Sequence, residues 1–410
     1  MKRVICMSVM MVVMMMTGGL FAQNEEDLNQ LLPQINADSV LRTVNDLENF
    51  GSRFALRAGG NIEVAEYIVQ RLENYGISAA VDSFYYEANN WLVGNYAQWF
   101  YNVKGILASE NPKDDSIVIV GAHLDAISYD SNYGLLEQAP GADDNASGVA
   151  VMLELARICH ANGLRFKRDI HFMAYDGEEL GLIGSYNDAW KRVESGDKVA
   201  VMLNNDMVSY QPDDDWKLTL HWYDNALDIV SRAAGICSQY TNIEPVVPTE
   251  EDNEDSQYSD SYAYYRFGFR AVFAIEYTFS TSYHTYHDVS DSNNYDFLAD
   301  VARYNMAMLV DYTELDNTVG VEEQTVAPMS RLYQNPVIDK ACLLYQLYDN
   351  SSVEIAVTDL LGRVVFQQNL PVQSSGVHFM ELDLSQLPSG VYLCRISTDR
   401  GSETLKIARK

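Results

Sequence analysis

The sequence has few basic residues. Of its 410 residues, 28 are Lys or Arg and 58 are Asp or Glu, which gives a formal net charge of −30. Phosphate groups are bound by clustered cations, so this balance argues against binding to nucleic acid or to an anionic membrane surface. Hydrophobic residues make up 47% of the chain, a content that argues against a disordered acidic protein. The composition therefore indicates an acidic globular protein.

Cysteines and long apolar runs are also scarce. Five cysteines are too few for a disulfide scaffold, and we leave open whether Cys342 and Cys394 pair or remain thiols. The apolar run near the start is shorter than the roughly 20 residues of a transmembrane helix. It follows Lys2 and Arg3 and precedes Ala22, a small residue suited to cleavage. Residues 1–22 are therefore predicted to be a secretory signal peptide, and no stable membrane span is predicted.

The negative charge is confined to the first part of the chain. Residues 331–410 contain 8 Lys or Arg and 8 Asp or Glu, so they are neutral. Residues 317–330 have neither helical nor strand periodicity and are predicted to be a linker. This division predicts a main domain over residues 23–316 and a separate C-terminal domain over residues 331–410.

Strands and helices alternate in the main domain, which predicts an α/β fold with a mixed, largely parallel sheet flanked by helices. Short apolar runs predict its strands, and a 3.6-residue period predicts its helices. The C-terminal domain instead has short strands separated by turns, the pattern of a small all-β sandwich. The main strands are predicted at Ser116–Gly121, Asp169–Ala174, Ala200–Leu203 and Ala271–Ile275, and the main helices at Val149–Cys159 and Phe297–Leu315. The segment from Asn24 to Tyr75 is predicted to be largely helical.

Carboxylates and histidines follow the predicted strands of the main domain. Ligands of open α/β sheets gather beyond the carboxyl ends of the strands, so these side chains are expected to meet. Imidazole together with carboxylate is a ligand set suited to zinc. Five ligands that share one carboxylate would hold two metal ions roughly 3.5–4 Å apart. The residues are His123, Asp125, Asp143, Asp144, Asp176, Glu178, Glu179, Asp206 and His284.

Five motifs in this region resemble those of metallopeptidase family 28, the secreted two-zinc aminopeptidases. They occur in the family's order. The surrounding residues, roughly 40–315, fit the family throughout. The motifs are GAHLD at 121–125, PGADDNASG at 140–148, DGEELGLIGS at 176–185, NNDM at 204–207 and HTYHD at 284–288.

The resemblance implies a role for each matching residue. Asp144 would bridge two Zn²⁺ ions, with His123 and Asp206 completing one metal site. Glu179 and His284 would complete the other site. Two further residues would bind no metal. Glu178 would be the general base acting on a metal-bridged water, and Asp125 would orient the His123 ring. The implied substrates are peptides, which would lose their amino-terminal residues.

The sequence departs from the family at one position and leaves alternatives open. Ser259-Asp260-Ser261 stands where the family often has Ser-Asp-His, so we assign no oxyanion donor. A glutaminyl cyclase of the same fold and an inactive binding module are the alternative functions. The acidic run Glu250–Asp255 lacks the glycine and ligand spacing of a calcium loop and is interpreted as a solvated loop.

The C-terminal domain resembles the sorting domain of the type nine secretion system. The resemblance rests on Tyr333-Gln334-Asn335-Pro336, DLLGRV at 359–364, LSQLPSGVY at 384–392 and Lys406-Ile407. It implies export through the periplasm and the outer membrane, with the outer-membrane secretion machinery as partner. The expected location is secreted or at the cell surface. A carbohydrate- or protein-binding β-sandwich is the alternative.

Overall fold

The computed structural model describes residues 27–129, 138–316, 329–333, 336–347, 350–360, 362–398 and 401–410. The predicted signal peptide and most of the predicted linker lie outside these residues. The chain divides into two compact units, Met1–Asp316 and Asn317–Lys410. Within the described residues, no helix is both long and apolar enough to cross a membrane.

The first unit is built on an eight-stranded sheet with the order β1-β2-β4-β3-β5-β8-β6-β7. The central strands β4, β3, β5 and β8 are parallel, whereas β1, β2 and β6 pair antiparallel to a neighbour. This arrangement confirms the mixed, largely parallel sheet expected from the sequence. The strands are β1 (Ser78–Asn90), β2 (Gly94–Leu107), β3 (Ser116–His123), β4 (Asp169–Tyr175), β5 (Lys198–Asn205), β6 (Lys217–His221), β7 (Glu244–Val246) and β8 (Ala271–Glu276).

Strand β3 shows why the central strands read as continuous apolar runs. Every residue from Ile117 to His123 is buried, although successive side chains point to opposite faces of the sheet. Both faces of β3 are therefore covered, as in parallel sheets generally. The helices that cover the sheet are α1 (Ala37–Glu48), α2 (Ile62–Asn74), α3 (Ala146–Ala161), α4 (Ile183–Ser195), α5 (Leu227–Tyr240), α6 (Asp260–Arg266) and α7 (Tyr295–Thr313).

Side-chain caps fix where two of these helices begin. The Asn145 Oδ1 atom accepts a hydrogen bond from the Gly148 amide at the start of α3 (2.9 Å), and Asn294 caps α7 through the Phe297 amide (3.0 Å). The cap at Asn145 matters for the site because Asp144 directly precedes it.

The second unit consists of two antiparallel sheets that share one hydrophobic core, which confirms the all-β fold expected for it. Its sheets have the orders β13-β10-β9 and β12-β11-β14-β15. Cys342 and Cys394 are both free thiols. The strands are β9 (Met329–Tyr333), β10 (Lys340–Leu347), β11 (Ser351–Asp359), β12 (Val364–Gln373), β13 (Gly376–Asp383), β14 (Gly390–Thr398) and β15 (Gly401–Arg409).

Candidate metal centre

The residues predicted to bind metal converge at the carboxyl edge of the parallel strands. His123 is the last residue of β3, and Asp206 directly follows β5. Asp144 stands just before α3, and Glu179 lies in a short 3-10 turn, Glu178–Leu180, after β4. His284 lies in the loop after β8. The fold thus brings side chains that are up to 161 positions apart in the sequence into one cluster.

Asp144 stands between the two histidines. The Nε2 atom of His123 lies 3.1 Å from Oδ1 of Asp144 and 3.2 Å from Oδ1 of Asp206. The Nε2 atom of His284 lies 3.1 Å from Oδ2 of Asp144 and 2.9 Å from Oε2 of Glu179. The cluster therefore consists of two half-sites, each with one imidazole and one carboxylate of its own, and Asp144 offers one oxygen to each.

The cluster fits metal cations. Ligand atoms of His123, Asp144 and Glu179 all lie within 4.8 Å of one another. Among the described residues, Oε1 of Glu179 is buried with no hydrogen-bond partner, and Nε2 of His284 makes no hydrogen bond of suitable angle despite the carboxylate oxygens near it. Buried polar atoms are rarely left unpaired, so these two atoms indicate a ligand between them. Nitrogen and carboxylate oxygen donors without thiolates form a set that zinc accepts.

Backbone contacts set the orientation of the His123 ring. Its Nδ1 atom lies 3.1 Å from the carbonyl oxygen of Asp125. In the neutral ring, Nδ1 is therefore the protonated nitrogen, because a carbonyl oxygen can only accept. The lone pair of Nε2 then faces Asp144 and Asp206, as a metal ligand requires.

Asp125 also positions the turn that carries the two glutamates. Its carboxylate accepts the backbone N–H of Glu178 (3.1 Å) and of Glu179 (3.3 Å). It lies 3.5 Å from Nδ1 of His123 as well. One buried carboxylate thus links the end of β3 to the glutamate turn.

The pKa values in the cluster reflect burial opposed by neighbouring charge. Burial would lower the pKa of His284, but Glu179 and Asp144 raise it to about 10. Burial likewise opposes a protonated His123, yet Asp206 and Glu178 raise its pKa well above the usual range. Burial raises the pKa of Glu179 to about 7. The site therefore stabilises positive charge, which is the property expected of a cation site.

Two residues that the sequence analysis did not assign hold the ligand loops in place. The Asp288 carboxylate accepts the backbone N–H of Asp143 (2.8 Å) and of Asp144 (3.0 Å). The buried guanidinium of Arg53 donates to the carbonyl oxygens of Leu124 (2.9 Å) and Gly141 (2.7 Å). Asp288 belongs to the HTYHD motif, which was a usable signal. No sequence signal marked Arg53, because its hydrogen-bond partners are main-chain atoms about 70 and 90 residues away.

The segment Ser259-Asp260-Ser261, where the sequence departs from the family motif, contacts the predicted ligand Asp206. The Ser259 hydroxyl donates to Oδ2 of Asp206 (2.6 Å) and accepts from Nδ2 of Asn204 (2.6 Å). Ser259 thus orients the Asp206 carboxylate. Met207, which directly follows Asp206, has a left-handed backbone conformation (φ 53°) that changes the direction of the chain there.

Gly148 permits the close approach of α3 to the end of β5. A Cβ atom there would lie 2.3 Å from the Asn205 carbonyl oxygen and 2.5 Å from the capping Oδ1 of Asn145. We expect Gly148→Ala to lower the free energy of unfolding by about 1–3 kcal/mol, because overpacking displaces backbone. Urea denaturation measures this change.

The matched control for this substitution is Gly235→Ala in α5. A Cβ at Gly235 meets no atom within 4 Å. There the change should be neutral or stabilising by up to about 1 kcal/mol, because alanine is the better helix former. Equal effects at both positions would contradict the close approach inferred for Gly148.

A cavity of about 770 Å³ opens over the cluster. Its inner end is lined by the predicted ligands and by Glu178. Its outer part is lined by residues of β6, β7 and β8 and by the aromatic side chains of Tyr258, Tyr277, Phe279 and Tyr283. The cavity is large enough for an amino-acid side chain and the adjoining peptide group.

Comparison with known families identifies both parts of the chain. Residues 102–309 match the model of peptidase family M28, and residues 331–410 match that of a secretion system C-terminal sorting domain. The first match spans half of the chain. The chain belongs to peptidase family M28. The second match confirms the expected sorting domain of the type nine system, and with it a secreted or cell-surface protein.

Individual proteins agree with this assignment. The chain is 26% identical over 272 residues to a probable leucine aminopeptidase of Trichophyton verrucosum, covering 65% of this chain and 70% of that protein. It spans about half the length, between 41% and 51%, of further curated relatives.

Two solved structures share the fold. A zinc aminopeptidase from Bacillus subtilis has a TM-score of 0.56 at 16% identity, covering 68% of this chain and 96% of the other. A glutaminyl cyclase from Porphyromonas gingivalis has a TM-score of 0.55 at 18% identity, covering 68% and 98%. At these identities the likeness concerns the fold alone.

Proposed function

We propose that the protein is a secreted zinc aminopeptidase that removes amino-terminal residues from peptides and is exported by the outer-membrane type nine machinery through residues 331–410. The observation that carries the proposal is the double half-site, in which Asp144 faces both His123 and His284 at 3.1 Å. A single shared carboxylate between two imidazoles suits two metal ions rather than one.

The chain's own residues would hold two zinc ions. His123 and Asp206 would bind one ion, Glu179 and His284 the other, and Asp144 both. When bound, zinc supplies Lewis acidity, which lowers the pKa of a coordinated water and polarises the substrate carbonyl.

Glu178 is the proposed general base. Its backbone is fixed by Asp125, and its side chain lines the cavity beside the ligands. Burial, opposed by the charge of His123, raises the pKa of Glu178 well above the usual carboxyl range. A carboxyl group of raised pKa can take the proton of the attacking water and then donate it to the leaving amine.

The name of a curated relative supports a free amino terminus over an internal peptide bond. The chain is similar to a probable leucine aminopeptidase of Trichophyton verrucosum. We therefore place the scissile bond next to the amino-terminal residue rather than within a chain.

The test is a panel of aminoacyl 4-nitroanilides, assayed before and after removal of metal with a chelator. We expect the chelated protein to lose at least about 99% of its activity, since Glu178 alone cannot activate water at neutral pH without a metal ion. Activity should return as zinc is added and level off at two ions per chain. N-acetylated substrates are the control and should not be cleaved. Full activity in the chelated protein would contradict the proposal.

A glutaminyl cyclase is the second candidate, because a protein of that activity shares the fold over 98% of its length. The same protein should then convert peptides that begin with glutamine into pyroglutamyl peptides, without hydrolysis and with one zinc ion. Mass spectrometry separates the two outcomes, since cyclisation releases ammonia and leaves the peptide bond intact. If the zinc-loaded protein carries out neither hydrolysis nor cyclisation, the result would favour the inactive binding module.

A further inference from the structure

The outer part of the catalytic cavity has an apolar wall. Val246 of β7 and Phe273 and Ile275 of β8 line it, with Thr219 and His221 of β6 beside them. An unbranched hydrocarbon chain can lie along such a wall. The polar groups near its end decide which side chain fits there.

An acidic segment, Glu250–Asp255, brings two carboxylates to this wall. Asp252 and Asp255 line the cavity. The acidic residues of the segment are exposed to solvent, as expected from the sequence, and the structure also fixes the segment to the end of β6. Asn253 accepts from the Trp222 amide (3.3 Å) and donates to the Trp222 carbonyl oxygen (2.8 Å).

Two further hydrogen bonds hold the residues on either side of the segment. The Trp222 indole donates to the Pro248 carbonyl oxygen (2.9 Å), and the Tyr223 hydroxyl donates to that of Ser256 (2.6 Å). The segment is thus tied down before, within and after its acidic residues. Asp252 and Asp255 are thus held beside the cavity, where both are exposed to solvent and the Asp252 carboxylate accepts a hydrogen bond from the Thr249 hydroxyl (2.6 Å).

His221 adds a buried acceptor beside these carboxylates. Its Nδ1 atom lies 2.9 Å from Oδ1 of Asn253, which already accepts from the Trp222 amide and is therefore an oxygen. Nδ1 must then be the donor, which leaves the lone pair of the neutral ring on Nε2. Burial lowers the pKa of His221, so the ring is neutral at pH 7.

The Nε2 atom of His221 has no partner in the described part of the chain. The residue is only 4% exposed, yet it lines the cavity. Nε2 is not among the buried unpaired atoms, so it is open to the cavity and can accept a hydrogen bond from a ligand there. No Lys or Arg is among the described residues that line the cavity, so the chain itself provides no cation there.

We infer that this cavity selects peptides whose amino-terminal residue is lysine or arginine. The methylene chain would lie along Val246 and Ile275, and the ammonium or guanidinium group would reach Asp252, Asp255 and Nε2 of His221. Acidic amino-terminal residues would be repelled. The inference rests on the proposed function, since it names the substrate class of the same cavity.

The experiment compares lysine with norleucine, which has the same methylene chain and no amino group. On the zinc-loaded full chain, we expect kcat/KM for lysyl 4-nitroanilide to exceed that for the norleucyl compound by about tenfold or more, as hydrogen bonds to charged groups imply. The double variant Asp252→Asn/Asp255→Asn should bring this ratio close to one. Arginyl and glutamyl substrates complete the series, with glutamyl the poorest.

The matched control is Glu250→Gln/Glu251→Gln, which removes the same charge from the same segment at positions that do not line the cavity. It should keep the lysine-to-norleucine ratio of the wild type. A ratio near one in the wild type, or an equal fall in both double variants, would overturn the inference.

A binding measurement separates this inference from the proposed function. Titration calorimetry of lysinamide and norleucinamide against zinc-loaded protein needs no turnover. Tighter binding of lysinamide that is lost in the Asp252→Asn/Asp255→Asn variant supports the cavity's selectivity even if hydrolysis fails. Equal binding of both amides overturns it even if leucine substrates are cleaved.

Discussion

Replacing Glu178 by glutamine should remove nearly all peptide hydrolysis and leave the bound metal unchanged. The amide has almost the shape of the carboxylic acid but can neither take nor return a proton. General acid–base catalysis contributes roughly 10²–10⁴-fold, so we expect kcat to fall by about a thousandfold. The effect should appear mainly in kcat, because a proton acceptor acts in the transition state rather than in substrate binding.

Two further variants make this result specific. Glu178→Asp keeps a carboxylate one methylene group farther from the substrate, so it should retain more activity than Glu178→Gln. Glu194→Gln on the exposed end of α4 should be unaffected. The measurements are steady-state kinetics and metal analysis of each protein. A Glu178→Gln enzyme with wild-type kcat would remove Glu178 from the mechanism. Loss of metal together with activity would instead make it a ligand.

The strand-end positions of the site could be predicted because parallel strands share one edge. His123 ends β3, and Asp206 follows β5, so the order of apolar runs along the sequence already placed these side chains on one side of the sheet. The distances could not be predicted. They depend on Asp288 and Asp125, whose carboxylates accept backbone N–H groups of the ligand-bearing loops, and such hydrogen bonds to backbone leave no trace in composition or periodicity.

The outer cavity was missed for a different reason. Strands β6 and β7 have five and three residues, too few to show a period, and neither was predicted. The acidic segment is exposed to solvent, as predicted, but its attachment beside the cavity was not predicted. What fixes it is one asparagine, Asn253, bonded to main-chain atoms of Trp222. Such side-chain to backbone contacts between distant segments are invisible to composition and periodicity.

The helical prediction for the start of the main domain was too long. The segment from Asn24 to Tyr75 was expected to be largely helical, but residues 49–61 lie between α1 and α2 without helical structure. Gly51, Gly59 and Gly60 adopt positive φ there. Arg53 lies in this interruption, and its guanidinium donates to the carbonyl oxygens of Leu124 and Gly141. The non-helical segment therefore helps to hold the loops that carry the predicted ligands.

Replacing Asp144 by asparagine should remove metal from both half-sites. The carboxylate offers one oxygen toward each histidine, whereas an asparagine amide has one oxygen, no charge and an NH₂ group that would point at a cation. We expect zinc affinity to fall by at least about 100-fold and hydrolysis to fall with it, since loss of a ligand exceeds the cost of losing a supporting group. Metal analysis after dialysis against a weak chelator measures this loss.

The titration of His284 in the metal-free protein provides an independent readout of the same substitution. Its pKa is raised to about 10 against the effect of burial, with Glu179 as the larger cause and Asp144 as the next. A negative neighbour stabilises the imidazolium ion, so removing the charge of Asp144 must lower this pKa, and NMR can follow it. The hydrogen bond from the backbone N–H of residue 144 to the Asp288 carboxylate does not involve the side chain of residue 144, so it persists in the variant. Asp213→Asn on the surface is the control and should change neither zinc content nor this pKa. Undiminished zinc in Asp144→Asn would contradict a shared carboxylate, and an unchanged His284 pKa would contradict the contact itself.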